Sequence, residues 1–202
     1  DKNGNGIQDP VEPGLAGAKI TATNTLTGES YSIFSNSTGG YSLNLMPGGY
    51  IAAIVPPSPD FTLSPLSTPG TANGNDFDPI TRSTQVTSLR SGQSGVGSFD
   101  AGLYLPATIG DRIWFDDTPN GIQDGDEESY DVPITVNLYD ALGYKVKETT
   151  STDTGFYQFT GVKPGSYSVE FILSDEDYKF TIPHAGNNTD IDSDVSPATG
   201  RA

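Results

Sequence analysis

Oxygen-bearing side chains recur at fixed steps at the start of the chain: Asp1, Asn3, Asn5, Asp9 and Glu12, with Gly6 between them. These are positions 1, 3, 5, 9 and 12 of an EF-hand-type calcium loop. Position 7, here Ile7, adds its backbone carbonyl, and Gly at position 6 permits the sharp turn. Glu12 closes the frame as a bidentate ligand. The frame returns as Asp116, Thr118, Asn120, Asp124 and Glu127, with the Ile122 carbonyl, and Asn-Gly-Ile-Gln-Asp is repeated letter for letter. Thr118 is a weaker ligand than Asn3. Turn preference alone explains Asn5-Gly6, but it does not place Asp1, Asp9 and Glu12 in frame. Hard oxygen donors at this spacing suit Ca2+.

A second acidic cluster also occurs twice, at Asn73–Asp78 and Asn187–Asp194. Asp76 and Asp78 in the first copy, and Asp190, Asp192 and Asp194 in the second, alternate as acids in an extended loop can when they converge on calcium. A solvated acidic turn is the other reading, and both stay open. The lone His184 reads as a surface loop residue. One His with no Gly-x-Ser-x-Gly context offers no nucleophile, base and orienter set, so the chain reads as a non-enzyme.

The elements that must hold these loops are short strands in two tandem units. Asn5 pairs with Asn120, Tyr41 with Tyr157, Tyr50 with Tyr167 and Asp78 with Asp194, at offsets of 115, 116, 117 and 116. The seam falls at Leu103–Thr108, giving units 1–105 and 106–202 joined by a short, Pro-containing and therefore semi-rigid link. Alternating apolar and polar residues predict strands at Ala18–Thr23, Tyr31–Ser35, Tyr41–Leu45 and Tyr50–Val55 in the first unit. Thr108–Phe115, Ile134–Tyr139, Lys145–Thr149 and Tyr167–Phe171 follow in the second, and the adjacent aromatics Phe156 and Tyr157 interrupt the pattern. Gly and Pro clusters between short strands predict antiparallel β-sandwiches with one wet face per sheet. Tyr41, Tyr50, Tyr157, Tyr167 and Trp114 are expected in the cores, with their polar tips partnered. The first unit reads as missing its opening strand and the second as missing its closing strand, as in a piece of a longer array.

Composition narrows the partners. The net charge is -16, with 26 acids against 10 Lys and Arg. The first unit carries -4 and the second -12, so the second has more carboxylate repulsion for a cation to relieve. Such a chain is a poor match for nucleic acid or anionic membranes. It has no Cys, which excludes disulfides and thiolate metal sites. No apolar run approaches the length of a membrane span.

Ile109-Gly110-Asp111…Trp114, the Asn-Gly-Ile-Gln-Asp loop, Thr-Gly-x-Tyr-x-Phe, Pro-Gly-x-Tyr and Asp100-Ala101-Gly102-Leu103-Tyr104 together resemble the B-type repeats of serine-aspartate-repeat (SdrD-like) surface adhesins, in the wider Cna-B-like group. The resemblance covers nearly the whole chain. It implies two prealbumin-like or Greek-key β-sandwiches, bound calcium, and a stalk or spacer role in a secreted or cell-surface adhesin or filament. The partners it implies are neighbouring repeats of the same protein and, through strand donation between chains, further copies. The competing reading is an adhesive module for carbohydrate or protein, which an exposed aromatic patch would favour. The crosslinks of related domains would need a Lys at the start of the first strand, and none stands out.

Overall fold

The computed structural model describes residues 1–67, 71, 74–93, 99–175 and 177–202. Asn73 of the second acidic cluster and Val96–Ser98, ahead of the Asp100–Tyr104 motif, lie outside the described residues. Two compact units divide at Pro106 and Ala107. Among the described residues every regular element is a strand and every strand pairing is antiparallel. No helix there is long and apolar enough to cross a membrane.

In the first unit, β1 (Lys19–Asn24) lies between β2 (Ser30–Phe34) and β3 (Gly48–Val55), and β5 (Thr87–Leu89) extends the sheet beyond β3. A second small sheet pairs β4 (Thr62–Leu63) with β6 (Leu103–Tyr104). Register and alternation agree. Ile20 faces Ile54 and Ala22 faces Ala52, all four buried. The intervening Thr21 and Thr23 face outward and pair their hydroxyls with Ser32 and Ser30, each at 2.9 Å. Ile20, Ile54, Leu63, Phe77 and Leu103 form the centre of the core. Phe77 is fully buried and meets Phe99 edge-on at 6.4 Å, a favoured aromatic geometry.

The second unit builds the same half-sandwich from β8 (Thr135–Asp140) between β11 (Tyr167–Ile172) and β9 (Lys145–Thr150). Its other sheet pairs β7 (Ala107–Arg112) with β10 (Phe156–Val162). Ile134, Val136 and Leu138 bury against Tyr157, Phe159, Val162, Val169 and Phe171. The adjacent aromatics do not break the alternation after all, because Phe156 faces outward while Tyr157 and Phe159 face inward.

One expected strand is absent. Tyr41–Leu45, the counterpart of β10, forms no ladder. A strand needs a partner for its backbone groups, and β7, which pairs with β10, has no counterpart among the described residues of the first unit. Lys19 opens β1 but is exposed.

The shared motifs have local reasons. In Pro-Gly-x-Tyr, the Tyr50 hydroxyl donates to the Met46 carbonyl at 3.1 Å and that of Tyr167 to Lys163 at 2.7 Å, each four residues back. The ring thereby pins its own turn, as in a tyrosine corner. In Thr-Gly-x-Tyr, Gly155 has φ +71, and a Cβ there would lie 2.1 Å from the Ile113 carbonyl oxygen.

Candidate metal centres

The two EF-like loops fold by the same hydrogen bonds. Asp1 Oδ1 accepts the Asn5 N–H at 3.1 Å and Oδ2 accepts Gly6 N–H at 2.7 Å. Asp116 does the same for Asn120 at 3.1 Å and Gly121 at 2.8 Å. Asn5 Oδ1 and Asn120 Oδ1 accept the N–H groups of Ile7 and Ile122, both at 2.7 Å. Glu12 closes the first loop by accepting the Lys2 and Asp9 N–H groups at 2.6 and 3.1 Å. Glu127 closes the second through Asp117 and Asp124, both at 3.0 Å. Side chains at frame positions 3 and 5 converge on position 9. Asn3 and Asn5 donate to Asp9 Oδ2 at 2.8 and 3.3 Å, and Thr118 and Asn120 donate to Asp124 Oδ2 at 3.4 and 2.9 Å.

Both loops hold residues of the types that Ca2+ takes as ligands, with the amides of positions 3 and 5 turned inward by their nitrogens and the three acids of each frame not drawn within 4.8 Å of one another. Asp1, Asn3, Asn5, Asp9 and Glu12 would hold one ion with the Ile7 carbonyl, and Asp116, Thr118, Asn120, Asp124 and Glu127 another with the Ile122 carbonyl. The amide donors at positions 3 and 5 now supply the positive ends that satisfy the position-9 carboxylate. A cation would take over that task, with the amides turned to present oxygen. Gly6 and Gly121 are required twice over. Both have φ near +80 (84 and 76), and a Cβ would lie 2.4 Å from Pro65 O or 2.2 Å from Ile182 O. Electrostatics favour the anion at the head of the second loop. Burial pushes the Asp116 carboxyl up, but hydrogen bonds from the Thr181 hydroxyl and the Gly121 and Asn120 N–H groups outweigh it and hold it below the ordinary aspartate value. Thr181 sits 65 residues downstream of Asp116, and nothing in the sequence marks it.

Each EF-like loop is paired with its unit's second acidic segment. Ile7 bridges Gly74 and Asn75 N–H donates to Gly6 O at 2.6 Å. Ile122 bridges Asp192 and Ser193 N–H donates to Gly121 O at 2.9 Å. These pairings revise the internal alignment. Gly74 corresponds to Asp192, Asn75 to Ser193 and Asp76 to Asp194, an offset of 118. The turns that follow agree, since Asp78 N–H donates to Ser83 O and Ser196 N–H to Arg201 O. The alternating acids allow either register on paper, and the sequence match of Asp78 with Asp194 is off by one step of the alternation.

The second-cluster acids scatter accordingly. Asp78 is used in its own turn, accepting the N–H groups of Ile80 and Thr81 at 2.9 and 2.7 Å. Asp76 accepts Asp100 N–H at 2.8 Å. Asp190 is exposed, and its N–H donates to Asn188 Oδ1 at 3.2 Å. Asp192 and Asp194 do come together, and with them comes His184, whose ligating atoms lie within 4.8 Å of theirs. Among the described residues this is the one group of three His or acid side chains drawn so close. His184 is the exposed loop residue that the sequence suggests, and nothing local in the sequence marks its approach to the two aspartates.

The aromatics expected in the cores are buried or half-buried, while Phe34, Tyr144 and Phe156 among others are exposed. Tyr50 and Tyr157 are buried, and Tyr41 and Tyr167 are half-buried against the clusters. The Tyr41 hydroxyl donates to Phe99 O at 2.6 Å. Trp114 is half-buried, and against expectation its shielded indole nitrogen has no hydrogen-bond partner.

Comparison with known proteins finds relatives along nearly the whole chain. Serine-aspartate repeat-containing protein F of Staphylococcus epidermidis is 30% identical over 210 residues, covering 98% of this chain and 12% of that protein. Serine-aspartate repeat-containing protein D of Staphylococcus aureus (strain Newman) is 31% identical over 202 residues, covering 99% of this chain and 15% of that protein. The chain thus spans a small fraction of these relatives. Among solved structures, GBS52, the minor pilin of Streptococcus agalactiae, aligns with a TM-score of 0.31 at 12% identity, over 86% of this chain and 77% of that one. The SdrD B-like domain profile matches residues 1–103 and again 107–202, and the chain belongs to that family as two successive copies.

Proposed function

We propose that this chain is a calcium-stiffened spacer within a larger secreted or cell-surface protein, where it holds neighbouring domains apart and catalyses nothing. The observation that carries this reading is the duplicated loop. Two units with largely different residues keep the same backbone N–H bonds to frame positions 1, 5 and 12. Each loop then joins its unit's second acidic segment through backbone pairing. A cation in the frame would tie two distant stretches of chain together. Because it binds the folded loop and not the unfolded chain, it stabilises by about 2.7 kcal/mol per site at 100 times its dissociation constant. The membership of the family and the Sdr relatives support a place in a surface protein.

Strand donation from a neighbouring domain belongs to the same proposal. Tyr41–Leu45 has the residues of a strand and no ladder, so a neighbour's opening strand could pair there as β7 pairs with β10. The adhesive alternative draws less support, because Tyr41, Tyr50 and Tyr167 turn their hydroxyls to backbone carbonyls and Tyr157 is buried.

The test is thermal melting of the 202-residue chain in chelator and in millimolar calcium, with calorimetric titration. The reading expects a large upward shift of the melting temperature and two loop sites per chain. Superimposable melting curves would overturn it.

A further inference from the structure

His184, Asp192 and Asp194 stand apart from the oxygen-only frames. His184 Nδ1 lies 3.4 Å from Asp194 Oδ1, and one ligating atom of each of the three residues falls within 4.8 Å of the others. In a tetrahedral centre with metal–ligand bonds of about 2.0–2.1 Å, neighbouring ligand atoms are about 3.3–3.4 Å apart. The His–Asp edge already has that length. A second observation points inward. Asp192 is half-buried between the exposed His184 and Asp194, and its Oδ1 is shielded from solvent with no hydrogen-bond partner. A buried carboxylate oxygen without a donor is costly, and a cation would satisfy it.

The backbone is committed to the arrangement. His184 holds φ +54, a region that costs an ordinary side chain. Its N–H donates to Ser193 O at 2.7 Å, which sets the imidazole beside the Asp192–Asp194 segment. The first unit has the same scaffold without the chemistry. Ser67 N–H donates to Asn75 O at 3.0 Å, so Ser67 stands where His184 does. Gly74 replaces Asp192, and a Cβ there would lie 2.0 Å from Ser67 Oγ. Asp76, in the place of Asp194, is engaged with Asp100. The site is particular to the second unit.

We propose that His184, Asp192 and Asp194 form a three-ligand site for a borderline divalent cation of the zinc class, with water in the fourth position. Imidazole nitrogen suits such ions and is a poor ligand for calcium. This site shares no ligand with the two oxygen frames, although Asp192 is bridged to Ile122 of the second, and its proposal does not rest on the calcium reading.

His184 is the chain's single histidine, so its imidazole gives one set of signals in a proton–nitrogen correlation spectrum. Zinc chloride is titrated into the chelator-treated 202-residue chain, first alone and then with calcium in excess. The expected result is a shift of the imidazole nitrogen signals that saturates at one zinc per chain and persists with calcium present. His184→Asn, which keeps a residue tolerant of positive φ, should weaken this zinc binding at least ten-fold while leaving the calcium-dependent melting shift intact. Asp192→Asn should weaken it similarly. Imidazole signals unmoved by zinc up to about 1 mM, zinc binding unchanged in His184→Asn, or displacement of zinc by equimolar calcium would each overturn the proposal.

Discussion

Replacing Glu127 by Gln separates the loop's own hydrogen bonds from its cation. Both carboxylate oxygens of Glu127 accept backbone N–H groups, from Asp117 and Asp124, each at 3.0 Å. Gln keeps one acceptor and turns an NH2 donor toward the other N–H. One charge-assisted hydrogen bond is lost and one backbone donor is left facing another donor. A hydrogen bond to a charged group contributes about 1.5–3 kcal/mol, so the cost without metal is about 2 kcal/mol. For a unit of this size, 1 kcal/mol moves the melting temperature by about 4–8 °C, which predicts a drop of about 8–16 °C in chelator. In calcium at 100 times the dissociation constant the native loop gains a further 2.7 kcal/mol or so. The variant, short of its bidentate ligand, gains little. The gap between the two proteins should therefore widen to about 4–5 kcal/mol, while titration calorimetry loses one of two loop sites because the first loop is untouched. A variant that gains as much from calcium as the native chain would refute Glu127 as a ligand. A gap of zero in chelator would refute the hydrogen-bond account.

Other perturbations probe different links. Gly121→Ala forces a Cβ to within 2.2 Å of the Ile182 carbonyl at φ +76, and it should destabilise the second unit by about 2 kcal/mol or more and shift the melting curve down in chelator and calcium alike. Leu138→Ala empties a fully buried site in the second core and should cost about 2–5 kcal/mol, read by denaturant unfolding. On the alkaline side, burial and then the charges of Asp111 and Asp194 push the Tyr157 hydroxyl up to about 12. A raised acid keeps its full stabilising share below the unfolded value of 10.0 and loses it as pH rises toward 12. The loss is about 2–3 kcal/mol, and Tyr157→Phe should flatten that decline in a pH series of melts. On the acid side, Glu170 is held below its ordinary value of 4.5 by hydrogen bonds from Tyr139, Asn137 and Arg201 working against burial, that of Tyr139 being the strongest. Its share is present above that value and fades as pH falls through the lower folded one, so Glu170→Gln should lessen the acid sensitivity of the second unit.

Strands in this chain were legible wherever the alternation had a partner to act on. β1, β3, β8 and β11 lie close to where the apolar period puts them, because each buries its alternate residues against the opposite sheet. Tyr41–Leu45 has the same local pattern and forms no ladder, since pairing is decided by a neighbour that local sequence does not encode. The EF-like frames were legible because their ligands are local and spaced by the turn itself. The second cluster was not, because its register depends on backbone bonds to Gly6 and Gly121 about 70 residues away, and alternating acids look the same when slipped by two. His184 and Thr181 reach their partners only through the pairing of 182–184 with the 193 segment, so neither carries a local signature.

The duplicated loop and its unequal surroundings lead to a further physical point. Both loops share the backbone donors to frame positions 1, 5 and 12, while the charge around them differs. The first unit carries -4 and the second -12. Part of the second unit's excess sits within the loop itself, at Asp117, Asp126 and Glu128, residues with no acidic counterpart at Lys2, Val11 and Pro13. Added carboxylates around one oxygen frame raise its attraction for a divalent ion and, in the ion's absence, raise the repulsion the fold must carry. Both effects have the same sign for calcium dependence. The second unit should therefore lose more stability in chelator than the first, and the difference should shrink as salt screens the exposed acids, whereas a difference arising from core packing would be indifferent to ionic strength.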